Sequence, residues 1–320
     1  MVGEDHYSNV VEQMLLGDVV PLLGAGASSY LQPRTARWSP SRRDFLPRGP
    51  DLARHLAKRF HYPEKRDRTD LLRVSQYAAL TVGSGPLYKS LRELFNADYQ
   101  LTPLHTFFAR LPAVIRQARR HGDIRYPILM TTNYDDNLER ALRVEHEPFD
   151  VLTYIAAPTH QGKFSHLAWG SSKAVVIHEP HTYNELPLNV RTIVLKIHGS
   201  VDRSDASSDS YVITENDYLN YLLRVDGERF LPATLSSELI QRNFLFLGYS
   251  MRDWNLRVVL ERIWNERTLG YQSWSVQSDV KELDRLFWRL REVDVLDIEL
   301  SEYLTGLEAA LARRFPSRRS

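Results

Sequence analysis

Cysteine is absent from all 320 residues. That excludes disulfides, iron–sulfur clusters, thiol nucleophiles and every cysteine-based zinc site. The cytoplasm is the simplest compartment for such a chain. An excess of one charge is also missing: 41 Lys and Arg stand against 40 Asp and Glu, a net charge of +1. The broad basic surface of a nucleic-acid-binding protein is therefore not expected. No apolar run reaches ~18 residues, so no membrane span is expected. The first residues carry Glu4, Asp5 and Glu12 and lack the basic stretch and unbroken apolar core of a secretory signal. No GxxxxGK[ST] occurs, because Gly162-Lys163 lacks the upstream glycine and the following Ser or Thr; a P-loop ATPase is excluded. No internal repeat is visible. What is present is ordinary for a globular protein, 43% hydrophobic and 25% charged.

Hydrophobic patterning divides the chain into alternating elements. Ser8 can cap a helix that runs to about Asp18, with Gly17 supplying a left-handed end. Val19–Leu23 reads as a buried strand, although Pro21 removes one ladder donor. Residues 31–50 form a long loop rich in Pro and Arg (Arg34, Arg37, Arg42, Arg43, Arg48), suited to phosphates or an acidic partner, or simply solvated. Residues 50–122 read as a helical insertion, with Pro50, Thr102-Pro103 and Pro112 as start signals. Pro127–Thr131, Thr192–Ile197 and Asn243–Leu247 read as further buried strands. The stretch 148–190 is irregular, with short strands at Val151–Ile155 and Ala174–Ile177. Helices or strands are expected at Pro232–Arg242, Asp253–Thr268, Gln272–Val276, Val280–Arg291, Val293–Ile298 and Ser301–Phe315. Strands alternating with helices predict an α/β fold, a Rossmann-like, mostly parallel sheet with helices on both faces and a smaller, mainly helical insertion. The expected organisation is one domain over 1–315, with core segments at about 8–30, 125–145 and 190–300, insertions at about 50–122 and 148–190, and a tail at 316–320.

Four of the strands end in a small or polar cluster: GAGAS, TTNYD, HGS and GYS. Ligands of such sheets bind outside the carboxyl ends of the strands, at a switch point. Four such ends would converge on one crevice. Gly24 and Gly26 would let backbone N–H groups approach a pyrophosphate, with Ser28 adding a hydroxyl, or would serve a plain tight turn. The ordinary dehydrogenase fingerprint is broken, because Ser29 stands where its third glycine belongs and the Pro/Arg loop replaces its acidic strand end. Asn133 and Asp135 suit either helix capping or chemistry. His198 suits proton transfer near neutrality, or structural packing.

The set GAGAS, TTNYD, KIHGS and FLGYS resembles, in order and spacing, the sirtuin (silent-information-regulator) family. The likeness spans roughly residues 18–280 and is nearest to the sirtuin-like domains of bacterial anti-phage defence systems. It implies an NAD diphosphate on Gly24, Ala25, Gly26 and Ser28, with Thr132 in the same cofactor-binding set. It implies the nicotinamide ribose and the attacking water on Asn133, Asp135 near the nicotinamide amide, and His198 as general base. Gly248, Tyr249 and Ser250 would line the adenosine side, braced by Asp253; Tyr249 stands where sirtuins carry Thr.

Deacylating sirtuins use a four-cysteine zinc ribbon that this chain cannot build, and the pair His178 and His181 does not replace it. No metal is expected, and NAD is expected as substrate. The segment after the glycine loop, Ser29–Arg34, also departs from the deacylase pattern. The resemblance therefore implies an NAD glycohydrolase of anti-phage defence, a cytoplasmic homo-oligomer gated by assembly or by a sensor such as an ATPase or an Argonaute-like protein. The alternatives are an NAD-dependent protein deacylase and a module that senses NAD or ADP-ribose without turnover.

Overall fold

The structure, a computed structural model, describes residues 2–33, 35–36, 38–119, 124–224, 230–249, 258, 260, 272–278 and 280–315. Strand β1 (Val19–Leu23) lies in the middle of a nine-stranded sheet. On one side follow β9 (Asn243–Leu247), β10 (Ser273–Gln277) and β11 (Val293–Asp297). On the other follow β2 (Ile128–Thr131), β6 (Thr192–Lys196), β3 (Phe149–Tyr154), β4 (Phe164–Leu167) and β5 (Val175–Ile177). Every pairing from β11 through β3 is parallel; β4 and β5 extend the edge antiparallel. This is the expected Rossmann-like α/β sheet. The chain passes from one flank of β1 to the other between β6 and β9, which makes the end of β1 a switch point.

Strands covered on both faces read as unbroken apolar runs, and all five positions of β1, β6 and β9 are buried. Pro21 sits in the middle of β1, in register with Leu245. Burial on both faces outweighs its missing donor. Alternate side chains feed two cores. Val19, Leu23, Leu129, Val194 and Leu245 pack under α1 (Glu4–Leu16), α5 (Pro103–Ala118), α6 (Asn137–Val144) and α10 (Leu300–Arg314). Val20, Leu22, Met130, Leu195 and Phe246 face Tyr221 of α7 (Glu215–Arg224), Leu235 and Leu239 of α8 (Ala233–Ile240) and Trp288 of α9 (Glu282–Arg289).

A third cluster joins α2 (Gly49–Arg59), α3 (Leu71–Val82) and α4 (Ser84–Phe95) to Val201 and Tyr211, beside and within the small hairpin of β7 (Gly199–Ser200) and β8 (Ser210–Tyr211). Helix α5, though adjacent in sequence to α2–α4, packs on the sheet through Leu104, Phe107, Phe108, Leu111 and Ile115.

Two boundaries differ from local expectation. Helix α1 begins at Glu4 rather than at Ser8, because Tyr7 is held in the core against Tyr303, ring centroids 5.3 Å apart, in space left by Gly306. Strand β4 arises within a stretch that reads as irregular; its order comes from pairing with β3. Gly17 ends α1 in the left-handed region, φ +78°, as expected. The helix expected over Asp253–Thr268 falls almost wholly outside the described residues.

Candidate active site

Order in the sheet places the carboxyl ends of β9, β1, β2 and β6 side by side. With strands ~4.8 Å apart, the chain leaves the sheet at Gly248, Gly24, Thr132 and Ile197 along one edge of the switch point.

The glycine loop is pressed onto the end of β9. Gly24 N–H donates to the Leu247 carbonyl at 3.0 Å and Gly26 N–H to the Gly248 carbonyl at 2.7 Å. A Cβ on either glycine would lie 2.6 Å from the Gly248 oxygen, and Gly248 itself has φ +63°. Glycine is needed here for close approach of two backbones. The amides of Gly24 and Gly26 thus bond the end of β9 and the residue after it. Ala27 N–H likewise turns back to the Gly24 carbonyl at 2.9 Å. Ser28 is buried, its Oγ 3.4 Å from Nε2 of His105. Arg48 of the Pro/Arg loop ties the following residues down through the carbonyls of Ser29 and Gln32, at 3.2 and 3.0 Å. Arg34 and Arg37 lie outside the described residues.

The TTNYD segment is stitched to the same loop. Thr132 N–H and Thr131 Oγ1 both donate to the Leu23 carbonyl, at 3.2 and 2.9 Å. The backbone N–H of half-buried Asn133 donates to Thr131 Oγ1 (3.0 Å), and its Nδ2 donates to the Gly24 carbonyl at 3.0 Å. That bond orients the carboxamide, since a carbonyl can only accept. Asp135 accepts the N–H of Asn137 at 3.1 Å, a turn at the start of α6, and burial pushes its carboxyl up to about 6.

Beneath it lies Lys196, fully buried at the end of β6. Its ammonium bonds the Asp135 carbonyl and Glu139 Oε1, the latter at 2.8 Å. The isolated Lys closing the apolar run TIVLK was the only sequence signal for this pair.

His198 follows β6 and is buried, edge-on to the rings of Tyr218 and Tyr221 at 5.5 and 5.6 Å. Its carbonyl accepts Val212 N–H at 2.9 Å, and Gly199 turns with φ +84°. The two loops are joined by Tyr134: its carbonyl accepts Val201 N–H at 3.0 Å and its hydroxyl donates to the Val212 carbonyl at 2.6 Å. Asn133 and His198 therefore stand on one bonded frame. On the far side of the glycine loop, a cleft of about 360 Å³ is lined by Gly26, Tyr30, Gly248, Tyr249, Val276 and Glu299, among others. Ser250 and Asp253 lie outside the described residues.

Among the described residues no group of three His, Asp or Glu side chains could hold a metal. His178 lies 2.9 Å from the Lys163 ammonium, and His181 makes only a 3.8 Å approach to Glu179. No described helix is long and apolar enough to cross a membrane.

Known proteins are similar to the chain in sequence. The chain is 29% identical over 216 residues to the NAD(+) hydrolase ThsA of Enterococcus faecium, 67% of this chain and 36% of that protein. It is 29% identical over 202 residues to NAD(+) hydrolase ThsA of Acinetobacter baumannii (strain 532279), covering 61% and 31%. With the ThsA of Bacillus cereus (strain MSX-D12) the identity is 26% over 196 residues, covering 61% and 32%. The chain thus spans about a third of the length of these curated relatives. A family model described as SIR2-like domain matches residues 127–296, just over half of the chain, from the residue before β2 into β11. With its parallel sheet and the loops that close it, this chain belongs to the SIR2-like domain family.

Proposed function

We propose that this chain hydrolyses NAD to nicotinamide and ADP-ribose, as a cytoplasmic effector of anti-phage defence. The carrying observation is the bonded frame at the ends of β1, β2 and β6, with Asn133 donating to Gly24 and Tyr134 joining its loop to that of His198. The names of the relatives, NAD(+) hydrolases, support the same reaction.

In this reading the adenosine half lies toward Gly248 and Tyr249 and the diphosphate along Ala25 to Ser28. Thr132 and Asn133 face the nicotinamide ribose. The Asn133 Nδ2 is held by Gly24, which leaves Oδ1 to accept from a ribose hydroxyl or from water. Asp135 stays in its turn at the start of α6 and holds the Asn133 segment against the ribose.

Cleavage breaks the bond between C1′ and the nicotinamide nitrogen. The bonding pair leaves with nicotinamide, which departs neutral. Water oxygen bonds to C1′, and its proton passes to His198. The buried ring of His198, walled by two tyrosines, meets that proton away from bulk water. The chain lacks the cysteines of a deacylase zinc ribbon, which favours water over an acyl-lysine as the acceptor. Gating by a homo-oligomer or by a sensor protein, an ATPase or an Argonaute-like chain, completes the proposal.

The test is nicotinamide release from NAD by the purified chain, with and without an acetyl-lysine peptide. Release without peptide supports hydrolysis. Release only with peptide makes the chain a deacylase, and tight ADP-ribose binding with no release makes it a sensor.

A further inference from the structure

We infer that His105, at the first turn of α5, is a positioning residue that aims the Ser28 hydroxyl at the diphosphate of the bound dinucleotide. The inference rests on the NAD reading for the identity of the ligand, and on the geometry behind the glycine loop for the role.

Three contacts fix the ring. The Thr102 backbone N–H, which can only donate, points at His105 Nδ1 at 3.2 Å. Nδ1 is therefore an acceptor, and a neutral ring must carry its proton on Nε2. Neutrality follows from place: the ring is 1% exposed. Burial, aided by the charge of Arg140, pushes its pKa down to about 4. The Nε2–H then faces Ser28 Oγ at 3.4 Å. The Thr102 hydroxyl lies 2.8 Å from Nδ1 and donates to the Ala27 carbonyl at 3.0 Å, so the same helix end also grips the loop backbone.

The consequence concerns the Ser28 proton. Its oxygen takes the proton of Nε2, and among the described residues His105 is its only hydrogen-bond partner. Its own O–H is left to donate elsewhere. The amides of Gly24, Gly26 and Ala27 are all committed within the protein. Ser28 is thus the hydroxyl donor that the loop can spare for an anion, and a hydrogen bond to a charged phosphate oxygen is among the stronger ones. An uncharged ring behind it gives direction without adding charge, and the same proton arrangement holds from pH 5 upward.

Binding of ADP-ribose to the intact chain, by calorimetry, tests this, with nicotinamide release from NAD followed in parallel. Ser28→Ala is expected to weaken ADP-ribose binding about tenfold. His105→Asn keeps an acceptor for Thr102 N–H but is too short to reach Ser28, and is expected to match that loss. His105→Gln restores an N–H near the Nε2 position and is expected to recover most of it. In the Ser28→Ala, His105→Asn double variant the two losses do not add.

Additive losses, or equal weakening by Asn and Gln at position 105, overturn the inference and leave His105 as packing only. So does a wild-type chain that fails to bind ADP-ribose. Should the His105 variants not fold, the imidazole 15N shifts of the wild-type chain decide together with Ser28→Ala: a ring protonated on Nε2 with a tenfold loss upholds it, and a ring protonated on Nδ1 or an unchanged affinity overturns it. ADP-ribose binding with the expected variant pattern, but no nicotinamide release, upholds this inference and overturns NAD cleavage.

Discussion

The side-chain amide of Asn133 donates to the carbonyl oxygen of Gly24 across 3.0 Å, tying the end of β2 to the end of β1. The bond joins residues 109 positions apart in the chain. It is also the contact that decides which end of the carboxamide faces outward. Asn133→Ala is expected to lower the rate of nicotinamide release by ~10²-fold or more, since a small misplacement near the reacting atoms has that effect. Asn133→Asp should be as slow and less stable than Asn133→Ala, because it sets a carboxylate against a carbonyl. Single-turnover rates and urea midpoints of the three proteins check both statements.

His198 is expected to act on rate far more than on affinity. Positioned acid–base catalysis contributes ~10²–10⁴-fold, so His198→Ala should lose at least ~10²-fold in nicotinamide release. ADP-ribose binding should change by less than about threefold, since the diphosphate contacts proposed above lie on another strand. A fall in affinity as large as the fall in rate would contradict the division of labour between the β1 and β6 loops.

Gly248→Ala is expected to damage both stability and binding. The position has φ +63°, and a Cβ there would run into the Ala27 backbone nitrogen and the Gly26 carbon. Neither is the movable end of a side chain. A loss of about 2–4 kcal/mol is expected from strain and displaced backbone, with ADP-ribose affinity falling in step because the glycine loop is what moves. Gly85→Ala makes a control, as a Cβ there meets nothing within 4 Å.

The buried Lys196–Glu139 pair is expected to behave asymmetrically. Lys196→Met leaves the Glu139 carboxylate uncompensated and should cost about 3–5 kcal/mol. The double change Lys196→Met, Glu139→Leu should recover most of that loss, because removing both charges also removes their desolvation. Thermal or urea unfolding of the four proteins closes the cycle. Equal instability of the single and double variants would mean that the bond from Lys196 to the Asp135 carbonyl matters more than the ion pair.

Two buried groups give opposite pH dependence. His105 is held down to about 4. The stability it contributes is complete above its ordinary value near 6.5 and is lost as pH falls toward 4. Asp135 is pushed up to about 6. Its contribution is complete below its ordinary value near 3.8 and is lost as pH rises through 6. The two partly cancel in the wild-type chain. His105→Gln should therefore gain about 2–3 kcal/mol relative to wild type on going from pH 7.5 to 4.5. Urea midpoints at the two pH values measure it, and parallel curves would place the ring's titration in the ordinary range.

Much of the fold is written locally. A central parallel strand is covered on both faces, so β1, β2, β6 and β9 appear as apolar runs with turn residues at their carboxyl ends, and those ends carry GAGAS, TTNYD, HGS and GYS. The switch-point rule then brings Gly24, Asn133 and His198 to one edge from pattern alone. The lack of cysteine limits the chemistry in the same direct way.

What the sequence could not decide is which atoms would be spent on the protein itself. That the amides of Gly24 and Gly26 bond to β9 depends on β9 lying beside β1, a pairing across more than 200 positions that parallel crossovers of any length permit. That His105 stands behind Ser28 depends on α5 leaving its helical neighbours to pack on the sheet. That Lys196 meets Glu139 depends on the β2–β6 register. Periodicity reports whether a residue is buried; it carries no information about the partner it is buried against. Composition and pattern therefore determined the sheet and the edge where its loops gather, and only tertiary packing decided which partner each hydroxyl, carboxamide and imidazole meets there.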